Sequence, residues 1–243
     1  MEIPDALLNG RLVKSGDAGI LLSSCRKEYS KKHSAALFVR SEGEKYMNIT
    51  VYLGANEGND PILRDAVSAL GRWIGSAGHA LVYGGSKSGL MGALAESVLQ
   101  AGGKVTGVEP QFFIDAGLEY NAITELIVTK DMAERKAKMI ELGDAFIAFP
   151  GGTGTLEEIT EVMSKVSLGH LDKPCILYNL NGYYDGLKTQ LTQMIALGLS
   201  SNQRLRGICF AENLEDIRRM IPSDERHDSN HENKKTVYHF DNK

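Results

Sequence analysis

Two segments of the chain carry side chains whose types and spacing suit chemistry on an anion. The first, residues 144–158, reads DAFIAFPGGTGTLEE. Gly151, Gly152 and Gly154 let a backbone turn sharply and come close to a ligand. Thr153 and Thr155 add hydroxyls, and Thr155 with Glu158 makes the T-x-x-E pattern of a capping box. A helix beginning here points free N–H groups and the positive end of its dipole at whatever occupies the loop. The second segment, residues 132–142, reads MAERKAKMIEL. On a helix, Arg135 and Lys136 fall on the face defined by Met132, Met139 and Leu142. Two cations on such a face call for an anion, which can be a phosphate, Glu158 or both, unless they snorkel to solvent.

The helix after the glycine loop separates its carboxylates. At about 100° per residue, Leu156, Ile159, Val162, Met163 and Val166 share one arc, Glu158 sits at its edge, and Glu157 and Glu161 point away toward water. Glu158 is therefore the carboxylate placed to lean over the loop. The loop itself is no P-loop, since the GxxxxGK[ST] pattern is absent from the chain. Nor is it the dinucleotide fingerprint, because Glu157 stands where a third glycine belongs.

The elements that must position these groups follow from apolar runs and their punctuation. Strands are expected at Asn48–Ala55, Ala80–Tyr83, Lys104–Glu109, Glu125–Lys130, Asp144–Phe149, Pro174–Leu180 and Gly207–Ala211, with helical patterns in the gaps. Asp60-Pro61 opens the first helix as N-cap and N1, and Gly78 closes it. The stretch 111–124 reads as an irregular aromatic crossover loop or lid. The pattern is that of an α/β fold: a Rossmann-like, doubly wound parallel sheet of about seven strands with helices on both faces. Three strands end in glycine loops, after Leu53, after Tyr83 (Gly84, Gly85, Ser86) and after Phe149. Loops at strand carboxyl ends near a switch point argue for one shared site.

Composition narrows the function. The 243 residues suit one domain with tails: an accessory, poorly ordered extension over 1–46, the domain proper over 47–222, and a flexible polar tail over 223–243. A net charge of −4 leaves no basic footprint for a nucleic-acid polymer. No apolar run reaches the ~20 residues that span a bilayer, so the expected location is cytoplasmic. Cys175 and Cys209 lie in apolar strand-like runs and read as core thiols of a reducing compartment. No metal site and no cofactor are read from the chain.

Taken together, GGSKSGLMG (84–92), MAERK (132–136) and PGGTGTLEE (150–158) resemble the LOG family, the cytokinin riboside 5′-monophosphate phosphoribohydrolases often labelled lysine decarboxylases. The likeness continues through GHLDKPCILYNLNGYYDGL (169–187) and covers roughly Met47 to Ile221. It implies hydrolysis of the N-glycosidic bond of a purine nucleoside 5′-monophosphate to free base and ribose 5-phosphate. It also implies Arg135 and Glu158 as catalytic residues, and Lys136, Gly151, Gly152, Thr153, Gly154, Thr155 and Ser164 as substrate-binding, with Gly85 and Ser86 in the companion loop. A homodimer or larger homo-oligomer is implied as well. Ala133 departs from the histidine usual in plant-type members. A decarboxylase would need pyridoxal phosphate on a Schiff-base lysine with a partner for the ring nitrogen. No such set is legible, and Lys87, the one lysine in a site loop, reads as facing solvent or a phosphate.

Overall fold

The computed structural model describes residues 46–221. The expected N-terminal extension (apart from its last residue) and polar tail lie outside the described residues. The elements run in order β1 (Asn48–Tyr52), α1 (Pro61–Ser76), β2 (Ala80–Tyr83), α2 (Gly89–Gln100), β3 (Lys104–Pro110) and α3 (Gln111–Asp115). There follow β4 (Glu125–Thr129), α4 (Met132–Leu142), β5 (Ala145–Ala148), α5 (Thr153–Ser167), β6 (Cys175–Tyr178), α6 (Asp185–Ala196), β7 (Ile208–Ala211) and α7 (Leu214–Met220). All seven strands pair in parallel in the order β4-β3-β2-β1-β5-β6-β7.

The alternation of side chains explains why the strands read as unbroken apolar runs. Ile49, Val51, Leu81, Ala145, Ile147 and Ile176 face one core with Val67, Leu70 and Ile74 of α1, Leu94 and Val98 of α2 and Ile217 of α7. Tyr52, Val82, Phe146, Ala148, Leu177 and Phe210 face the other, with Met139 of α4, Ile159 and Val162 of α5 and Leu191 of α6. A strand covered on both faces has no polar side to show. The one polar residue in the centre of β1, Thr50, is fully buried and donates to the Met139 carbonyl at 3.1 Å.

Local signals set the helix ends. Asp60 accepts from the Ile62 N–H at 3.0 Å, with Pro61 at the first turn, and Gly78 follows the end of α1 at φ +76°. Asp131 accepts from Glu134 N at 2.9 Å and starts α4. Two expectations change. The 111–124 stretch is not wholly irregular, since Gln111–Asp115 forms the short helix α3 after Pro110 fixes the turn. Cys175 is a free buried thiol, but Cys209, equally buried on β7, is disulfide-bonded.

Strand order reverses between β1 and β5, its two neighbours growing away on opposite sides. That crevice, at the carboxyl ends of the strands, is where a doubly wound sheet binds ligands.

Candidate active site

The three glycine loops meet at this switch point, and close backbone approach is what their glycines permit. A Cβ on Gly151 would lie 2.9 Å from Gly54 N of the β1 loop and 2.2 Å from Thr155 Oγ1. A Cβ on Gly89 would lie 1.9 Å from the Ala55 carbonyl oxygen, which locks the β2 loop to the β1 loop. From behind, Tyr184 donates its hydroxyl to the Phe149 carbonyl at 2.9 Å, and Tyr183 donates to the Gly151 carbonyl. These two tyrosines hold the loop after β5 in place, and the sequence reading assigned them no such role.

The capping-box expectation is corrected by where α5 begins. Gly152, not Thr155, is the N-cap, and it offers no side chain to the helix end. Thr155 is instead the third helical residue, 4% exposed and tucked under Gly151. Gly152, Thr153 and Gly154 are exposed, and a Cβ on either Gly152 or Gly154 would meet nothing within 4 Å. The first intrahelical donor is Leu156 N to the Gly152 carbonyl, so the N–H groups of Thr153, Gly154 and Thr155 stand free at the dipole end. With no side chain competing for those donors, the helix end is open to an external anion.

Beside this cradle, Arg135 Nη1 donates to Glu158 Oε1 at 2.5 Å, with both side chains buried. Arg135 Nε donates to the Val108 carbonyl at 3.0 Å, so the guanidinium arcs over the end of β3. Its third nitrogen, Nη2, would lie 2.3 Å from a Cβ on Gly84, so any side chain there would displace the guanidinium. Burial pushes the Glu158 carboxyl above its ordinary range, while the Arg135 charge and hydrogen bond pull it back; burial wins. The arginine thus opposes, without cancelling, the desolvation of its partner.

Lys136 takes a different partner from Arg135. It binds Glu157 at 2.6 Å and Glu161 at 3.4 Å, so these carboxylates, expected to face only water, line the outer side of α5 toward α4. The hydrogen bond that Lys136 donates to Glu157 raises the pKa of the lysine. Ser86 is 7% exposed and its Oγ accepts from Ser88 N at 3.1 Å, while Gly85 takes φ +90°. Lys87 beside them is exposed. Ser164 is exposed and sits six residues beyond Glu158, about 120° around the helix. Leu156, placed on the apolar arc by projection, is 43% exposed.

Sequence reasoning also passed over Glu109, the penultimate residue of β3, which is 2% exposed with no hydrogen-bond partner for Oε2. A carboxylate inside the apolar run KVTGVEP was the legible signal. Among the described residues no group of His, Cys, Asp and Glu is arranged to hold a metal ion, and no helix is long and apolar enough to cross a membrane.

A buried arginine–carboxylate pair thus lies beside an open helix N-terminus at the switch point of a parallel α/β sheet. Residues 91–221 match the family described as "Possible lysine decarboxylase". A cytokinin riboside 5′-monophosphate phosphoribohydrolase of Rhodococcoides fascians is 46% identical over 56% of this chain and 70% of its own length. One of Arabidopsis thaliana is 36% identical over 73% of this chain and 82% of its own. The chain belongs to this family, the LOG phosphoribohydrolases. Among solved structures, the molybdenum cofactor binding protein of Rippkaea orientalis shares the fold at a TM-score of 0.54 and 23% identity, over 72% of this chain and 94% of that one.

Proposed function

We propose that the protein hydrolyses the N-glycosidic bond of a purine nucleoside 5′-monophosphate, an N6-modified cytokinin-type nucleotide or AMP, releasing free base and ribose 5-phosphate. The observation that carries this reading is the buried Arg135–Glu158 pair, 2.5 Å apart, beside a helix N-terminus that no side chain caps. The 5′-phosphate sits on the N–H groups of Thr153, Gly154 and Thr155, with Lys136 adding charge from α4. Phosphate capture then positions C1′ over Glu158. As the C1′–N9 bond breaks, its electron pair leaves with the base and positive charge builds on the ribose. The Glu158 carboxylate stabilises that charge and orients the water whose oxygen bonds to C1′. The water's proton and the base's acquired proton balance the reaction. Arg135 fixes the carboxylate and favours its ionised form.

The enzyme works as a homo-oligomer in this proposal. Leu156 and Leu168, at the two ends of α5, are 43% and 59% exposed and offer apolar area beside the site.

The test is incubation of purified protein with AMP and with N6-isopentenyl-AMP, following free base by chromatography, in parallel with Glu158→Gln. Release of base by the parent protein and its loss in the variant supports the hydrolase and ranks the substrates. Saturable binding without release from either nucleotide replaces it with a non-catalytic nucleotide-binding module.

A further inference from the structure

Glu109 is a buried carboxyl that the mechanism above leaves without a task. Its Oε2 accepts no hydrogen bond, and a Cβ on Gly85 would lie 2.8 Å from it. The carboxyl is therefore walled behind the Gly84-Gly85 turn, the same turn whose other glycine receives Arg135 Nη2. The groups around it come from three elements. Tyr83, fully buried with an unpartnered hydroxyl, faces it from β2. Glu119 and Tyr120 approach from the β3–β4 connection, held there by Tyr120 N donating to the Gly85 carbonyl at 2.9 Å and by the Ser86–Glu119 bridge. Arg135 approaches from α4, anchored to Val108, the residue next to Glu109. Arg135 is the one cation in this group, and its direct partner is Glu158.

We propose that Glu109 is a positioning residue for the reaction, a carboxyl that leaves Arg135 committed to Glu158 while it carries a proton and competes for the guanidinium once it loses it. This rests on the hydrolase reading for its effect on turnover, but the electrostatics belong to the site. With Glu109 neutral, Arg135 and Glu158 cancel. With Glu109 ionised, the site holds a net negative charge and must admit a nucleotide phosphate against it. Burial lifts the Glu109 carboxyl to about 7, with Arg135 opposing and Glu119 adding to the rise. The exchange therefore falls within the working range of a neutral-pH enzyme.

Two measurements on full-length protein test this. The first is kcat/KM from pH 5.5 to 9 for the parent protein, Glu109→Gln and Glu109→Asp. The parent should fall above neutrality with a limiting slope of about tenfold per pH unit. Glu109→Gln, which mimics the protonated acid, should keep low-pH activity within a few-fold and lose that fall, while Glu109→Asp should retain a displaced one. The same break in Glu109→Gln overturns the proposal, as does uniform loss of activity at every pH in a folded variant. The second is AMP binding by calorimetry at pH 7.5 in buffers of different ionisation enthalpy. The parent should take up roughly half a proton per site more than Glu109→Gln, the phosphate's own ionisation being common to both. Equal uptake overturns the proposal even where turnover is intact. Unequal uptake with no base released from any nucleotide leaves Glu109 standing and removes the hydrolase. Absence of AMP binding removes both.

Discussion

Arg135 Nη1 and Glu158 Oε1 lie 2.5 Å apart although their helices are joined through β5 and the glycine turn after it, 23 residues along the chain. Both groups are out of water, so each is the other's principal compensation. Replacing Arg135 by Ala strands a buried carboxyl, which escapes part of the cost by taking a proton. The expected loss is about 2–4 kcal/mol of stability, with catalysis gone. Chemical denaturation at pH 6 and pH 8 checks this, and the deficit should be larger at pH 8.

Glu158→Gln keeps the shape and removes the charge. Turnover should drop by about two to four orders of magnitude while nucleotide binding changes less than tenfold. Single-turnover kinetics beside a binding isotherm separates the two effects. Parent-level turnover in this variant would sink the catalytic role of Glu158.

Lys136 is paired at the rim of the site rather than inside it. Lys136→Ala should leave the melting temperature nearly unchanged, within about 1 kcal/mol. It should raise KM for the nucleotide more than it lowers kcat. A fall in kcat at constant KM would place the lysine at the reacting atoms.

The glycines of the site divide into two kinds. Gly84→Ala pushes a methyl into Arg135 Nη2 and should impair both stability and turnover, whereas Gly154→Ala meets no protein atom. The second variant should fold with parent stability and bind nucleotide more weakly. Equal melting temperatures for the two would contradict the placement of Arg135.

Protonation of Glu109 also bears on stability. Its carboxyl is raised in the folded protein from 4.5 to about 7, so the folded state holds that proton more tightly than the unfolded chain. Stability is then full below about pH 4.5 and declines as pH rises toward and through 7. Glu109→Gln should match the parent near pH 4.5 and exceed it at pH 8 by on the order of 2 kcal/mol. A constant difference across that range argues against a buried ionisation.

Much of this was legible because the physics is local. The strands announce themselves as apolar runs since both sheet faces are covered, and Asp60-Pro61 and Gly78 mark the ends of α1 by side-chain and backbone geometry alone. The helix start after the glycine loop, and Glu158 as an anion for Arg135, were visible for the same reason. What was not legible depended on tertiary placement. Thr155 looks like a cap in sequence, yet Gly152 takes that position because Thr155 is needed beneath Gly151. Glu157 and Glu161 look solvated until Lys136 arrives from another helix. Glu109 looks like the polar end of a strand, and its carboxyl is buried by the Gly84-Gly85 turn together with the connection that follows β3.

The meeting of Gly54, Gly89 and Gly151 has a kinetic corollary. These residues are brought together only by parallel pairings across the middle of the sheet, and such long-range pairings form late in folding. The close packing of the three loops around the start of α5 is therefore absent until β1, β2 and β5 have paired. Under the proposed function, a nucleotide bound there favours the fully paired sheet and protects it by mass action. Ligand occupancy becomes a measure of how much of the chain has completed its fold.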